Sequence, residues 1–294
     1  MDHPRIRFSS VLGNSQKLDG GAMFGNAPKA LWQRWVAVDE LNRIDLVCRA
    51  LLVEVEDHKI LFETGIGAFF EPQFRERFGV QEPNHVLVES LANLGLSPSD
   101  IDKVVLSHLH FDHAGGLLTP YEEGQPAQLI FDKATFIVGQ DAWARARNPH
   151  PRDRASFIAE LPDLLMASKR LILVQEDSML EFGDLTVQFF ISNGHTPGML
   201  CSDLRWPGGR LIFAADLIPG TPWVHLPITM GYDRFPEQLI NEKETLLSAL
   251  AQDHGYLFFT HDPQTCLAQV SYDSQKKRYS AIHPSHQLVR DFIH

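Results

Sequence analysis

The sequence has few cysteines and no long apolar run. Its 294 residues include three cysteines, Cys48, Cys201 and Cys266, which lie far apart and are odd in number. They predict no disulfide framework, which favours a reducing compartment. The N-terminal stretch MDHPRIRFSS has no apolar signal-peptide core, and no apolar run approaches the roughly 18 residues that span a bilayer. We therefore expect a cytoplasmic protein with no membrane partner.

A clustered basic surface is also missing. The formal net charge is −11, whereas nucleic-acid binding needs clustered lysines and arginines that contact phosphates. We expect no nucleic-acid partner, and the acidity is typical of a soluble protein. No linker-like tract, composition break or internal repeat divides the chain, so we expect residues 1–294 to form a single domain.

Short apolar runs bounded by turn residues predict strands, and longer runs with helical spacing predict helices. The predicted strands are 46–55, 59–62, 104–106, 134–138, two within 180–192, a hairpin within 201–215, and 256–260. The predicted helices are 83–94, 140–147, 154–165 and 236–252. This mixture indicates the α/β class, with two sheets packed face to face and helices outside. The Pro- and aromatic-rich segment 220–235 predicts an irregular lid or binding loop.

The most specific motif is HLHFDH, residues 108–113. In an extended segment, residues two apart point to the same side, which places His108, His110 and Asp112 together. His113 then turns to the other side as the chain enters the Gly-Gly turn that follows. The motif comes directly after a predicted buried strand, where ligands usually bind in α/β sheets. Histidine and aspartate at this spacing indicate a metal site.

Three further ligand-type residues follow apolar runs downstream. His195 lies in the tight turn NGHTPG, Asp216 follows the strand LIFAA, and His261 follows the strand YLFFT. Each stands at the C-terminal end of an apolar run, as the HLHFDH motif does. Because ligand-type residues recur at the ends of apolar runs, the three together indicate a second metal position more strongly than any one of them does.

These residues resemble the metal motifs of the metallo-β-lactamase superfamily. The resemblance implies an αβ/βα four-layer sandwich with two divalent metal ions at one edge. It implies that His108, His110 and His195 bind one ion, that Asp112, His113 and His261 bind the other, and that Asp216 bridges them. We expect zinc, although imidazole and carboxylate also suit manganese, cobalt and iron.

Other segments resemble the N-acyl-homoserine-lactone lactonase branch of that superfamily. These are LDGGAMFG at 18–25, FETG at 62–65, ADLIP at 215–219 and MGYD at 230–233. Two positions depart from the pattern: Glu63 stands where the superfamily usually has Asp, and Ile218-Pro219 replace a tyrosine of some lactonases. His110 in place of Glu disfavours the di-iron redox branch. The resemblance is compatible with a homodimer.

The predicted reaction is hydrolysis by direct attack of a metal-bound hydroxide, without a covalent enzyme intermediate. Asp112 would orient the hydroxide and pass a proton to the leaving alkoxide. Tyr232 and His225 are candidates to hydrogen-bond the substrate carbonyl or the leaving group, with a structural role as the alternative for His225. Six apolar residues are predicted either to line an acyl-chain pocket or to belong to the core: Met23, Phe24, Phe69, Phe70, Trp223 and Met230.

The leading functional hypothesis is a lactonase or esterase, with an N-acyl-homoserine lactone as substrate and quorum quenching as the role. Thioester, phosphotriester and phosphodiester hydrolysis are alternatives, because the same metal pair suits them. A mononuclear iron dioxygenase acting on persulfides is an alternative of another class. A structural zinc site is disfavoured, because such sites are closed by four ligands. We expect the nine other histidines, such as His3, His58, His150 and His294, to face solvent, and Cys266 to be a buried inert thiol.

Overall fold

The computed structural model describes residues 6–293. Its first sheet has six strands in chain order from one edge to the other. They are β1 (Arg7–Asp19), β2 (Arg43–Val55), β3 (His58–Phe62), β4 (Lys103–Leu106), β5 (Thr135–Gly139) and β6 (Leu171–Val174). The pairs β1–β2 and β2–β3 are antiparallel, and the pairs from β3 to β6 are parallel. The carboxyl ends of β3 to β6 therefore open to one edge.

The second sheet has seven strands, also in chain order. They are β7 (Met179–Phe182), β8 (Leu185–Ser192), β9 (Met199–Trp206), β10 (Gly209–Phe213), β11 (Tyr256–Phe258), β12 (Leu267–Asp273) and β13 (Arg278–Ser285). Only β10 and β11 pair in parallel among these described strands. Their carboxyl ends therefore lie side by side.

Helices cover the sheets and connect them. They are α1 (Gly20–Phe24), α2 (Lys29–Trp32), α3 (Pro72–Arg77), α4 (Val86–Asn93), α5 (Phe111–Ala114), α6 (Gln140–Arg147), α7 (Leu161–Ser168) and α8 (Pro236–Asp253). Helix α4 packs against β1, α6 and α7 against β6, and α8 against β12. Within residues 6–293, every helix is too short or too polar to cross a bilayer.

Alternating side chains of the first sheet divide between two hydrophobic clusters. In β3, Ile60 and Phe62 join the cluster shared with the second sheet, whereas Leu61 joins the cluster under α4, α6 and α7. Residues of β4 and β5 alternate in the same way, because successive side chains of a strand point to opposite faces. Phe62 meets Phe213 of the second sheet with ring centroids 5.6 Å apart. The predicted sandwich of two sheets with helices is confirmed.

One predicted helix is wrong in its bounds. Residues 154–165 were expected to be a single helix, but Arg154–Ser156 form a short 3-10 turn and α7 starts only at Leu161. Pro162 occupies the first turn of α7, where its missing N–H costs no hydrogen bond. The predicted helices 140–147 and 236–252 are confirmed, with α8 one residue longer.

The expectation that the remaining histidines face solvent is wrong for His85, which is buried with its Nε2 atom 3.1 Å from the Gly116 carbonyl oxygen. A hydrogen bond to that carbonyl compensates the burial of the ring. His150 is exposed and His58 half-buried, and His3 and His294 lie outside the described residues. Cys266 is buried as expected and donates its thiol proton to the Ser285 carbonyl.

Candidate metal centre

The seven predicted ligands meet at the edge where strands of both sheets end. Four follow β4, one lies in the turn between β8 and β9, and one follows each of the parallel neighbours β10 and β11. Six are buried and Asp112 is half-buried. The structure brings together His108, His110, Asp112, His113, His195, Asp216 and His261.

The two oxygens of Asp216 face two different groups of ligands. Its Oδ1 atom lies 3.3 Å from Nε2 of His113 and 3.1 Å from Nε2 of His261. Its Oδ2 atom lies 3.2 Å from Nε2 of His195. The carboxylate therefore stands between two sets of imidazoles, as a bridging ligand requires.

Each set has enough donors within a small sphere to hold a cation. The first ligand group is His108, His110 and His195, and the second is Asp112, His113 and His261. In each group the donor atoms all lie within 4.8 Å of one another. With one oxygen of Asp216, the three donors of each group would supply four ligands to a divalent ion, the number typical of zinc sites.

Several donor atoms of the centre lie close to one another without forming a hydrogen bond. His110 Nε2, His195 Nε2 and Asp216 Oδ1 are buried without a hydrogen-bond partner. Nε2 of His113 also lies 3.2 Å from Nε2 of His261. Buried polar atoms are normally satisfied, so their clustering needs an explanation. These side chains fit divalent cations, whose bonds to the lone pairs would satisfy them.

The ligand imidazoles differ in electrostatic character. Burial, together with His195, lowers the pKa of His110 to about 3, and burial also holds the pKa of His108 well below its usual value. Burial opposes a charge on His113 too, but the carboxylates of Asp216, Asp112 and Glu63 raise its pKa well above the usual value. His195 of the first group differs from His108 and His110, because Asp216 and Asp233 raise its pKa against the effect of burial. Neighbouring carboxylates therefore favour the charged form of His195 and His113, whereas burial favours neutral His108 and His110.

Glu63, which replaces the usual Asp, contacts the second ligand group from behind. Its Oε1 atom accepts a hydrogen bond of 2.8 Å from Ser107 N, and its Oε2 atom lies 3.5 Å from His113 Nδ1. The longer carboxylate therefore still reaches both the HLHFDH segment and a ligand ring. The Gly115-Gly116 turn after the HLHFDH segment packs tightly against the backbone beside Glu63, since a Cβ on Gly116 would clash with the Thr64 carbonyl oxygen.

His195 is oriented by a carboxylate that lies in the 220–235 loop. Its Nδ1 atom lies 2.9 Å from Asp233 Oδ1, which leaves Nε2 facing Asp216. Asp233 Oδ2 accepts a hydrogen bond from Met230 N, so the same carboxylate also orders the loop. A carboxylate behind a ligand imidazole fixes its tautomer and raises its basicity.

We expect Asp233→Asn to weaken metal binding by roughly 10- to 100-fold, because the amide holds the His195 ring without a negative charge. Competition with a chromogenic chelator measures the dissociation constant. Asp273→Asn, a half-buried carboxylate at the end of β12, is the matched control and is expected to leave the dissociation constant unchanged. An unchanged dissociation constant for the Asp233 variant would show that this carboxylate does not support metal binding.

Helix α8 also supports His195, through the backbone that precedes it. Glu242 accepts hydrogen bonds from Ser192 Oγ at 2.6 Å, Asn193 N at 2.9 Å and Gly194 N at 3.2 Å. The next residue, Lys243, is buried, and its Nζ atom lies 2.7 to 3.2 Å from the carbonyl oxygens of residues 225, 226 and 228. Two adjacent side chains of α8 therefore hold the His195 turn and the 220–235 loop.

A cavity of about 290 Å³ opens onto the ligands. Tyr232 lines it and is 43% exposed, and burial together with Asp112 raises the pKa of its phenol. Of the apolar candidates, Met23 and Met230 line this cavity. The other four lie elsewhere: Phe24 stacks on Trp223, and Phe69 and Phe70 pack against each other.

His225 is not brought to this cavity. Its ring packs edge-on against Trp35, with centroids 6.3 Å apart, and it is absent from the cavity wall. Its backbone carbonyl instead accepts from Lys243. The geometry therefore fits the alternative foreseen for this residue, a structural part of the loop.

Sequence reasoning missed the supporting residues Gln16, Asp233, Glu242 and Lys243. Gln16 is buried in β1 and donates from Nε2 to Asp112 Oδ2 at 3.1 Å. Asp233 belongs to the MGYD segment, which the sequence analysis noted as a family resemblance without assigning this aspartate a role. Lys243 could have been noticed because it occupies a position of α8 at which apolar spacing predicts a buried side chain.

Comparisons with known proteins agree with this geometry. The sequence model described as the metallo-beta-lactamase superfamily matches residues 43–261. N-acyl homoserine lactonase AiiB from Agrobacterium fabrum is 42% identical over 223 residues, covering 65% of this chain and 73% of that protein.

Solved structures share the fold over nearly the whole chain. A probable metal-dependent hydrolase from Staphylococcus aureus superposes with a TM-score of 0.82 at 29% identity, covering 97% of this chain and 100% of that chain. AidC, described as a dizinc quorum-quenching lactonase, superposes with a TM-score of 0.76 at 20% identity, covering 97% and 96% of the two chains.

Proposed function

The chain belongs to the metallo-beta-lactamase superfamily and is a metal-dependent hydrolase, and from this premise we propose that it opens lactone rings, with an N-acyl homoserine lactone as substrate. The observation that carries the proposal is the position of Asp216 between two ligand groups, beside an open cavity whose wall is partly apolar. The similarity to a named homoserine lactonase supports the choice of a lactone over other esters.

We propose that the centre takes two divalent ions, with zinc as the native metal. The first ligand group and Asp216 Oδ2 would hold one ion, and the second ligand group and Asp216 Oδ1 the other. When bound, such a pair supplies a water of lowered pKa and stabilises negative charge on the substrate carbonyl oxygen.

Asp112 is the protein group placed to handle the proton. Gln16 fixes its Oδ2 atom, and the side chain reaches the cavity wall. From this position the carboxylate can accept the proton of the attacking water and return it to the leaving alkoxide. A positioned carboxylate within hydrogen-bond reach is what such a transfer needs.

The proposal extends to the whole chain. The two sheets share one hydrophobic cluster, which supports residues 1–294 acting as a single domain. The three free cysteines are buried, as fits a protein of the reducing cytoplasm. A homodimer and a quorum-quenching role complete the proposal by analogy with the lactonases.

Tyr232→Phe is expected to lower kcat/KM on the lactone by about tenfold, because one hydrogen bond to the substrate is lost. The phenol lies on the cavity wall, whereas Tyr121 has nearly the same exposure, 44%, on a different cavity. Tyr121→Phe is therefore the matched control. Steady-state kinetics that show equal rates for wild type and the Tyr232 variant would remove this residue from the mechanism.

A substrate panel tests the proposed function itself. We expect the metal-loaded protein to open N-hexanoyl-homoserine lactone faster than it cleaves a thioester, a phosphodiester or paraoxon. Release of the ring-opened acid, followed by titration of the proton produced, is the measurement. Faster turnover of another ester class, or oxygen consumption with a persulfide and one iron per chain, would overturn the proposal.

A further inference from the structure

Two arginines form part of the wall of the cavity that holds the metal centre. Arg152 and Arg234 line it together with His110, Asp112 and His195. The same wall also carries three carboxylates, and two of them, Asp112 and Asp216, face imidazoles of the metal centre. Neither arginine has a role in the lactone chemistry proposed above.

Two of the three nitrogen atoms of the Arg234 guanidinium have no hydrogen-bond acceptor in the protein. Its Nε and Nη1 atoms are buried without a hydrogen-bond partner, and its Nη2 atom lies 3.5 Å from His150 Nδ1. The backbone N of Arg234 donates to the His195 carbonyl at 3.1 Å, which fixes the residue beside a predicted ligand. Buried guanidinium N–H groups without acceptors are costly, so they point to an acceptor that binds there.

The carboxylate of Asp153, which acts on the pKa of Arg234, is engaged at one of its two oxygens, while its Oδ1 atom has no hydrogen-bond partner. Arg145 donates to Asp153 Oδ2 from Nε at 3.0 Å and from Nη2 at 2.7 Å. Arg152 donates to the Gly231 carbonyl at 3.1 Å. Asp153 is therefore paired with Arg145, and neither Arg152 nor Arg234 forms an ion pair with it in the described part of the chain. Burial lowers the pKa of Arg234, and so do Arg145 and Arg152 against the opposing effect of Asp153.

From these contacts we propose that Arg234, with Arg152 beside it, forms a subsite for a carboxylate carried by the acyl part of the substrate. The proposal rests on the lactonase function and narrows it to lactones with an anionic acyl group. A guanidinium presents parallel N–H donors that match the two oxygens of a carboxylate. Because Arg234 adjoins His195, the anion and the scissile ester would be separated by a short acyl segment.

Matched substrates test this subsite in the metal-loaded enzyme. N-succinyl- and N-adipoyl-homoserine lactone carry a free terminal carboxylate, and N-butanoyl- and N-hexanoyl-homoserine lactone are their neutral partners of equal length. We expect wild type to prefer the anionic member of a pair by roughly 10- to 100-fold in kcat/KM. In Arg234→Gln the preference should fall to near one, and Arg234→Lys, which keeps the charge without the paired donors, should lie between.

Arg147→Gln is the matched control. Arg147 is on the same helix as Arg145 but is 46% exposed, lies 3.8 Å from Asp163 and does not line the cavity. This variant loses the same charge and is expected to keep the full preference. Loss of preference in both variants would mean a general electrostatic effect and would overturn the subsite.

A binding measurement separates the subsite from the lactonase function. Calorimetry with the monoamide of adipic acid and with hexanamide needs no turnover. We expect the carboxylate ligand to lose at least about tenfold in affinity in Arg234→Gln but not in Arg147→Gln. If no lactone is opened and this loss is still seen, the lactonase proposal fails and the subsite stands. If the affinity for the carboxylate ligand is the same in wild type and Arg234→Gln, the subsite proposal is wrong. That result would mean that the metal ions bind the carboxylate, or that Arg234 only pairs with Asp153.

Discussion

Asp216→Asn is expected to lower kcat/KM on the lactone by about a thousandfold, the largest effect of any single substitution considered for this protein. The carboxylate lies within 3.1 to 3.3 Å of three imidazoles, and its two oxygens face the two proposed ligand groups. An amide keeps the shape but removes the negative charge, and it offers one oxygen in place of two. Elemental analysis of the variant is expected to show fewer than two ions per chain.

Asp203→Asn is the matched control for this change. Asp203 is equally buried, but it lies on β9, where it accepts hydrogen bonds from Arg205 and Arg210. Its loss is expected to lower stability without changing metal content. If Asp216→Asn kept two ions and wild-type turnover, the bridging role of the carboxylate would be refuted.

Lys243→Met is expected to lower the free energy of unfolding by about 2 to 4 kcal/mol. The Nζ atom is buried and lies within hydrogen-bond distance of three loop carbonyls, which the variant leaves without their donor. Since the loop carries Asp233 and Tyr232, lactone turnover is expected to fall as well. Urea unfolding measures the loss, and Lys276→Met, an exposed lysine, is the control. A change below about 0.5 kcal/mol would show that the carbonyls find other partners.

The same lysine predicts a dependence of stability on pH. Burial lowers the pKa of Lys243 from 10.5 to about 7, although Asp233 raises it. Between these two values the unfolded chain binds a proton that the folded chain does not, so the lysine's contribution to stability rises with pH across this range. The difference in unfolding free energy between wild type and Lys243→Met is therefore expected to grow from pH 7 to pH 9.5. A difference that shrinks over this range would contradict the assignment.

The strands and helices that were predicted correctly are those marked by short apolar runs or by apolar residues at helical spacing. The hairpin of β2 and β3 was found because two apolar runs, 46–55 and 59–62, flank the polar turn 56–58. Strand β1 was missed because its sequence, RFSSVLGNSQKLD, is polar and interrupted by glycine, and it is held by pairing along the full length of β2. Strands β12 and β13 were missed for the same reason, since long-range pairing stabilises them rather than local apolar content.

The candidate site was predictable where ligands occur in a short motif or after an apolar strand. The HLHFDH spacing and the strand ends before Asp216 and His261 carry that information in the chain itself. The supporting contacts were not predictable, because Gln16 lies 96 residues from Asp112, and Glu242 lies 48 residues from Gly194. Such pairs depend on how β1 and α8 pack, which no local pattern specifies. Nothing in the sequence singles out Arg234, because the burial of its Nε and Nη1 atoms depends on how the chain folds.

Titration of metal-free protein with zinc tests the central claim, that Asp216 joins two ligand groups into one working pair of metal sites. Initial rates of lactone opening are followed as metal is added, together with the amount bound at each step. We predict that full activity appears only when two ions are bound per chain and that Asp216→Asn does not recover it. Full activity with a single ion, or turnover by protein verified to be free of metal, would contradict the account.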